Sequence, residues 1–136
     1  MKEKEFQEFK KNIPNYLNKL SILLKTELTY NYNDIDTVEN FYVQNHKSPI
    51  ILGLTETDFD NIFYAYFGEA IIYYNGGFWI LSNSRKNRAY GTPIITNSNN
   101  SKYTISHYVW KEYIKRNLQR EPISKIIRRS QIPRNI

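Results

Sequence analysis

The sequence predicts an α+β fold in which four to five helices pack on a short antiparallel β-hairpin. Apolar residues recur at spacings of three and four over much of the chain, which is typical of helices. Two short apolar runs, 78–82 and 90–96, flank a polar loop, which is typical of a hairpin. A length of 136 residues is enough for one hydrophobic core. We therefore expect residues 1–136 to form a single domain.

Two helices are predicted at the N-terminus. Residues 2–11 are amphipathic, with two phenylalanines on one face. Pro14 suits the first turn of a second helix, because a proline there loses no helical hydrogen bond, and Asn12 or Ile13 would lie near the cap. An apolar stripe with spacings of four and three follows, and we expect it to face the core. It consists of Ile13, Leu17, Leu20, Leu24 and Leu28.

The segment after this helix is predicted to begin as a loop. Residues 29–36 are rich in Asn, Asp and Tyr, which is typical of loops. Asp36 or Thr37 would then cap a short helix that runs to about residue 46. The dipeptide Ser48-Pro49 would end this helix, because the residue before a proline avoids helical geometry.

The strongest helix signal lies between residues 56 and 74. Thr55 is a good N-cap, and the acidic residues of the first turn suit the helix dipole. Aromatic and aliphatic residues then occupy most of the circumference, so we expect this helix to be the central one. Gly76 and Gly77 would end it, because a left-handed cap favours a residue without a side chain.

The hairpin is predicted to pair residues 78–82 with residues 90–96. The first strand is a dense apolar run that is too short for a helix. Pro93 cannot donate a hydrogen bond to a ladder, so we place it at a sheet edge or at a bulge. The loop between the strands is polar and basic, and residues 97–103 are predicted to form a second turn.

Two further helices are predicted after the hairpin. Ser106 would cap a helix over about 107–118, and Pro122 would open a last helix. Residues 131–136 are expected to form a flexible tail. The predicted core combines the inward positions of all elements: Leu17, Leu20, Leu24, Phe59, Ile62, Phe63, Phe67, Trp79, Leu81, Ile95, Val109, Tyr113, Ile126 and Ile127.

The composition argues against catalysis. The chain has no cysteine and two histidines, His46 and His107. This removes disulfides and thiolate chemistry, and it leaves little for acid–base or metal chemistry. The sequence contains no glycine-rich phosphate loop and no nucleophile motif. We therefore expect a non-catalytic protein that uses no metal or other cofactor.

Neither membrane insertion nor export is predicted. No window approaches the run of apolar residues that a transmembrane helix needs. The charged, amphipathic N-terminus lacks the apolar run of a signal peptide. We therefore expect a cytoplasmic protein.

The formal net charge of +6 is unevenly distributed. Residues 1–84 contain seven Lys or Arg and eleven Asp or Glu, whereas residues 85–136 contain twelve and two. Such asymmetry indicates either an electrostatic partner surface or two regions that pack together and neutralise each other. For a partner surface we favour the acidic stretch 27–69, which combines charge, a predicted loop and aromatic anchors. The candidate residues are Tyr32, Asp34, Asp36, Glu39 and Tyr42.

A glycine and a glutamate stand out on the predicted central helix. Gly68 costs about 1 kcal/mol relative to alanine in a helix interior, so we expect another element to approach the backbone there. Glu69 lies beside apolar positions and should be partly buried, with a hydrogen bond from a backbone amide, Trp79 or a basic residue. We assign structural roles to Gly68, Glu69, Trp79, Gly76 and Gly77; catalysis by Glu69 is the alternative.

The same region resembles a known class of domain. Phe67-Gly68-Glu69-Ala70, Gly76-Gly77-Phe78-Trp79 and Gly91-Thr92-Pro93 resemble small bacterial immunity-type domains that occur beside secreted polymorphic toxins. Tyr74-Asn75-Gly76-Gly77 is similar to the helix-ending motif of the SUKH immunity superfamily. The resemblance implies a protein toxin as the partner, which this chain would bind and neutralise. It transfers no catalytic residue.

The basic C-terminal region supports an alternative function. Nucleic-acid phosphates need little more than a basic patch, and the twelve tyrosines offer stacking platforms for bases. No nucleic-acid motif of known spacing is present. The candidate patch lies within residues 85–134 and comprises Arg85, Lys86, Arg88, Lys115, Arg116, Arg120, Arg128 and Arg129.

Overall fold

The computed structural model describes residues 1–82, 91–96, 104–105 and 121–130. Within these residues the chain forms five α-helices, one 3-10 helix and three β-strands. The predicted α+β class is confirmed. In chain order the elements are α1 (Glu3–Lys11), α2 (Ile13–Leu24), α3 (Tyr32–Asn45), the 3-10 helix Pro49–Leu52, α4 (Glu56–Asn75), β1 (Phe78–Leu81), β2 (Pro93–Thr96), β3 (Thr104–Ile105) and α5 (Ile123–Ser130).

The first two helices begin where the sequence predicts. The buried side of α1 carries Phe6 and Phe9. Asn12 occupies the cap position of α2, and Pro14 lies in its first turn. Beyond α2, Lys25 takes a left-handed conformation with φ of 56°, which the sequence does not predict because lysine rarely adopts it.

The start of α3 differs from the prediction. The helix begins at Tyr32, more than one turn earlier than expected, so five of the eight residues of the predicted loop 29–36 are helical. The side-chain oxygen of Asn31 accepts a hydrogen bond from the amide of Asp34 at 2.7 Å and caps the helix. The loop-like composition is misleading here because asparagine is also a preferred cap. The end of α3 before Pro49 agrees with the prediction.

The predicted central helix is α4. The hydroxyl oxygen of Thr55 accepts a hydrogen bond from the amide of Asp58 at 3.1 Å and caps it as expected. The helix packs against α2, α3, α5 and β2. Its buried residues cover most of its circumference: Phe59, Ile62, Phe63, Tyr64, Ala65, Tyr66, Phe67, Gly68, Ala70 and Ile71. Because buried apolar area is the main favourable term in folding, α4 is the centre of the core.

The two glycines after α4 take the positive φ values that the sequence predicts for a glycine cap. Gly76 has φ of 73° and Gly77 has φ of 104°. The ψ of Gly76 is −167°, so Gly76 lies outside the left-handed helical region although its φ is positive. This conformation is open to glycine and strained for other residues, and it turns the chain from α4 into β1.

The strands form one antiparallel sheet in the order β1–β2–β3. The predicted hairpin is confirmed, with a shorter second strand: the pairing runs from Phe78↔Thr96 to Leu81↔Pro93. Although β2 is the central strand, β3 pairs only with its Ile95 and Thr96, so in the described part of the sheet Pro93 pairs with β1 alone, in keeping with the predicted edge position. Pro93 is the first residue of β2, where a missing N–H is tolerated. The sequence does not predict β3, because two residues are too few for a periodic pattern.

The C-terminal helix α5 completes the described part of the core. Its Ile123 and Ile127 are buried, and the helix packs against α3 and α4. This confirms the last helix that Pro122 was expected to open. The predicted helix over about 107–118 and the predicted tail 131–136 lie outside the described residues.

Most of the predicted core is confirmed within the described residues. Leu20, Phe59, Ile62, Phe63, Phe67, Ile95 and Ile127 are buried. Leu17, Leu24, Trp79, Leu81 and Ile126 are partly buried. Val109 and Tyr113 lie outside the described residues. The core also contains Ile35, Val38 and Tyr42 of α3, a helix that the predicted core omits and that packs against α4.

Candidate functional site

Tyrosines from two parts of the chain meet beside the C-terminal half of α4. Tyr30 lies just before α3 and Tyr32 is the first residue of α3, whereas Tyr66, Tyr73 and Tyr74 come from α4. Helical spacing brings the α4 tyrosines to neighbouring positions on one side of the helix. The Tyr30 ring centroid lies 5.4 Å from that of Tyr66 and 5.5 Å from that of Tyr73.

The tyrosine contacts continue without a gap. Tyr73 and Tyr74 meet edge-to-face at 5.0 Å between centroids, and Tyr74 stacks on Tyr32 at 4.9 Å with an interplanar angle of 10°. Arg128 of α5 places its guanidinium carbon 4.1 Å from the centroid of the Tyr32 ring. Offset or edge-on aromatic pairs and guanidinium–ring contacts at these distances are attractive.

Two phenol hydroxyls fix this arrangement. The Tyr66 hydroxyl donates to the carbonyl oxygen of Thr29 at 2.7 Å, and the Tyr74 hydroxyl donates to the carbonyl oxygen of Tyr30. These bonds tie the segment before α3 to α4. The aromatic side chains are therefore held in place before any ligand arrives, which reduces the entropy that binding would cost.

Three phenols of the cluster, those of Tyr30, Tyr66 and Tyr74, have raised pKa values. Burial, and then the charge of Glu69, raises the pKa of Tyr30. Burial is also the main cause that raises the pKa of Tyr66. Burial and neighbouring phenols raise the pKa of Tyr74, while Arg128 opposes the shift. Each of these side chains can therefore act as a hydrogen-bond donor over the physiological range.

The outer part of the cluster is open to solvent. Tyr66 is buried, whereas Tyr30, Tyr32 and Tyr74 are partly buried and Tyr73 is 67% exposed. We call Tyr30, Tyr32, Tyr73 and Tyr74 the tyrosine surface. Tyrosines that pack on ordered aromatic neighbours are common among the residues that contribute most of the binding energy in protein interfaces.

The structural roles predicted for Gly68, Glu69 and Trp79 are consistent with the geometry. A Cβ atom at position 68 would lie 2.0 Å from Cη2 of Trp79, so the indole does approach the α4 backbone there. Glu69 is partly buried, as predicted. The Trp79 indole N–H donates to its Oε1 over 3.4 Å, which is one of the three predicted donors.

Two members of the predicted acidic surface are buried, so their assignment as partner contacts is corrected. Tyr42 is 1% exposed and Glu39 is 6% exposed. Tyr42 packs between Phe59 and Phe63 of the core, and a carboxylate oxygen of Glu39 accepts a hydrogen bond from the amide of Ile123 at 2.7 Å. Both positions lie within the predicted helix, and the packing of α3 against α4 and α5 directs them to the core rather than to solvent.

The other three members of the acidic surface make contacts within the chain. Asp34 accepts hydrogen bonds from the amide and hydroxyl of Thr29 at 2.8 and 2.7 Å. Asp36 accepts one from the hydroxyl of Ser124 at 2.5 Å. Tyr32 belongs to the tyrosine surface and contacts Arg128, as described above.

Two of the three acidic residues of α3 therefore hold the basic C-terminal helix. Glu39 and Asp36 both bond the first turn of α5, where carboxylates also interact favourably with the helix dipole. Of the two interpretations of the charge asymmetry, the described contacts favour packing of the two regions against each other for this part of the chain.

The predicted basic patch is only partly described. Arg128 is exposed on α5 and lies over Tyr32, and Arg129 lies on the same helix. Lys125 adds a further exposed positive charge there. The remaining members, Arg85, Lys86, Arg88, Lys115, Arg116 and Arg120, lie outside the described residues.

The described residues contain no group of three or more His, Cys, Asp or Glu side chains that could hold a metal ion. Among the helices in the described ranges, none combines the length and apolarity needed to cross a membrane. The chain matches no protein-family model, no curated protein and no solved structure.

Sequence reasoning missed the tyrosine surface as a unit. It selected Tyr32, but it did not connect this residue with Tyr30 or with the tyrosines of α4. The sequence did contain a signal. Tyr73 and Tyr74 follow Tyr66 by seven and eight residues, a spacing that places all three on one face of a helix. The contact with the segment before α3 depends on tertiary packing, which no local pattern encodes.

Proposed function

We propose that the chain is a non-catalytic protein-binding module that contacts its partner through the tyrosine surface. We further propose that the partner is a bacterial protein toxin, which the chain neutralises by covering its active site or fixing its conformation. The resemblance of residues 67–70, 76–79 and 91–93 to immunity-type domains supports the choice of a toxin. The proposal places the protein in the cytoplasm, where it would meet a toxin made by or delivered into the cell.

The single observation that carries this proposal is the exposure of Tyr73 within an ordered aromatic cluster. An exposed tyrosine that no neighbour held would have to lose rotamer entropy on binding. Here the ring of Tyr73 packs against the rings of Tyr30 and Tyr74. The hydrogen bond from the Tyr74 hydroxyl to the Tyr30 carbonyl holds these two residues together. Large, preordered aromatic area of this kind contributes binding energy at low entropic cost.

The charge of the larger described segment supports a basic partner, such as a nuclease. Residues 1–82 contain seven Lys or Arg and eleven Asp or Glu. Glu27 and Glu56 are among the exposed acids on or beside the helices that carry the tyrosine surface. Complementary charge of this kind accelerates association and selects among partners more than it raises affinity.

The proposal is tested by co-expression with the product of the neighbouring reading frame. We expect that product to arrest growth when expressed alone and to be harmless when this chain is present. Purification of the pair should give a stable complex. A harmless product, or a toxic one that this chain neither binds nor neutralises, would contradict the proposal.

Exposed basic residues on α5 favour one second candidate function. Lys125 and Arg128 face solvent on one side of α5, while Ile123 and Ile127 face the core. Such a helix suits nucleic-acid phosphates, and counterion release predicts an affinity that falls steeply with salt. Binding to mixed DNA and RNA at low and at moderate salt tests it, and absence of binding at low salt removes it.

A further inference from the structure

We infer that the tyrosine surface contains a subsite for one cationic side chain, an arginine of the partner, formed by the rings of Tyr30 and Tyr73 and the carboxylate of Glu69. This inference rests on the proposed function and deepens it by naming the chemistry that the site recognises. The subsite is distinct from the Arg128–Tyr32 contact at the other end of the surface.

Helical geometry places the carboxylate beside the two rings. Glu69 precedes Tyr73 by four residues on α4, so their side chains are neighbours on one face of the helix. The two rings of the subsite are 5.5 Å apart between centroids and inclined at 40°. The charge of Glu69 also reaches the phenol of Tyr30, whose pKa it helps to raise. Helical spacing beside Tyr73, together with this influence on Tyr30, therefore places the Glu69 carboxylate near the pair of rings.

The carboxylate has capacity for a further bond. Among the described residues, Glu69 accepts one hydrogen bond, from the indole N–H of Trp79 to Oε1 over the long distance of 3.4 Å. Its Oε2 has no hydrogen-bond partner within the described residues. Within the described residues, the buried side-chain atoms without a partner belong to Asn75, so Oε2 of Glu69 is open to solvent. A carboxylate oxygen can accept more than one hydrogen bond, so an incoming cation with several N–H donors can bond it there.

Arginine fits these groups better than other cations. Its planar guanidinium stacks on aromatic faces and donates to a carboxylate in the same arrangement, whereas the lysine ammonium is a compact, strongly hydrated point charge. The chain already contains one example on this surface, where Arg128 lies 4.1 Å above the Tyr32 ring. A metal ion fits poorly, because a single carboxylate offers too few ligands.

The test uses the full chain with its tyrosine rings labelled for NMR and needs no partner protein. The probe is N-acetyl-arginine methylamide, and the matched control is N-acetyl-citrulline methylamide, which has the same shape without the charge. We expect saturable shifts at Tyr73 and Tyr30 with the arginine probe and none with the citrulline control. Equal shifts with both probes, or no shift at either tyrosine, would overturn the subsite.

Variants separate the role of the ring from that of the charge. Tyr73 is largely exposed, so Tyr73→Leu should fold normally, as circular dichroism will show, and should abolish the shift at Tyr30. Tyr73→Phe keeps the ring and should keep binding. Glu69→Gln should weaken arginine binding about threefold or more. Unchanged binding in both Tyr73→Leu and Glu69→Gln would overturn the assignment.

The outcome of the arginine titration does not depend on the outcome of the co-expression experiment. An arginine-specific titration supports the subsite even where co-expression finds no toxin, in which case the proposed function fails alone. A flat titration overturns the subsite even where co-expression finds a toxin, in which case the tyrosine surface binds through apolar contacts without a guanidinium.

Discussion

The indole of Trp79 occupies the space that a side chain at position 68 would need. A Cβ atom at Gly68 would lie 2.0 Å from Cη2 and 2.1 Å from Cζ2 of the indole, far inside the normal contact distance. Phe9 packs edge-on against the same indole, with 5.2 Å between ring centroids. The glycine thus allows β1 to place its tryptophan directly on α4, and α1 packs against that tryptophan.

Gly68→Ala is expected to destabilise the protein. Helix propensity alone would favour alanine by about 1 kcal/mol, but the clash with Trp79 requires the ring and its neighbours to move. Overpacking of this kind costs about 1–3 kcal/mol. Urea unfolding followed by circular dichroism measures the change. The double variant Gly68→Ala/Trp79→Leu should lose less stability than the sum of the two single changes. A Gly68→Ala protein as stable as the wild type would contradict the contact.

Glu39→Ala is expected to weaken the attachment of α5. The change leaves the buried amide of Ile123 without its carboxylate acceptor, which costs about 1–3 kcal/mol of unfolding free energy. Glu39→Gln should cost less, because an amide oxygen can still accept the bond. Glu27→Ala, at an exposed position, is the control and should change stability by less than about 0.5 kcal/mol. Equal stability of Glu39→Ala and the control would rule out this role.

Stability should fall in alkaline solution, in part through Tyr66. The fold raises the pKa of this phenol above the ordinary value of 10.0, so the native state holds the proton more tightly than the unfolded chain. This contribution is fully present below about pH 10 and is lost as the pH rises through the raised value. Unfolding free energies at about pH 8 and about pH 11 measure the loss, which should be smaller in Tyr66→Phe than in the wild type.

The matched control for Tyr66 is Tyr73→Phe, since the Tyr73 side chain is mostly exposed and its hydroxyl makes no hydrogen bond within the described residues. At neutral pH, Tyr66→Phe should itself cost about 1 kcal/mol, because the Thr29 carbonyl loses its donor. An alkaline loss in Tyr66→Phe as large as in the wild type would show that this phenol is not responsible.

Asn75→Leu is expected to be neutral or stabilising. Both polar atoms of the Asn75 side chain are buried, and neither has a hydrogen-bond partner within the described residues. Removing an unsatisfied polar group relieves a cost of about 1 kcal/mol or more. The control is Asn45, which is the last residue of α3 as Asn75 is the last residue of α4. The side-chain amide of Asn45 donates to the Phe41 carbonyl at 2.8 Å, so Asn45→Leu should destabilise the protein. A larger loss at position 75 than at position 45 would contradict this interpretation.

The elements that the sequence predicts well are those whose signals are local. Thr55 caps α4, Gly76 ends it, and the cost of Gly68 indicates the close approach that Trp79 makes. Each of these positions carries its own physical reason, either a cap, a positive φ or a missing side chain. The prediction of α4 therefore holds at both ends.

The errors occur where tertiary contacts decide between two local options. Asn31 suits both a loop and a cap, and in the structure it caps α3. The packing of α3 against α4 and α5 places Glu39 and Tyr42 in the interior. The acidic residues of α3 suggest a partner surface, yet Asp36 and Glu39 bond α5, which is more than 80 residues away in sequence. The tyrosine surface was missed for the same reason, because long-range packing brings Tyr30 to Tyr73.

The most direct test of the central claim is the affinity of the proposed toxin partner for two variants of this chain, measured by titration calorimetry. Tyr73→Ala should weaken binding about tenfold or more, as truncation of an interface anchor does. Ile51→Ala is the control: Ile51 lies on the 3-10 helix, outside the tyrosine surface, and is 81% exposed. Its loss should change the affinity less than about twofold. Wild-type affinity in Tyr73→Ala, or a loss confined to Ile51→Ala, would contradict the tyrosine surface as the binding site.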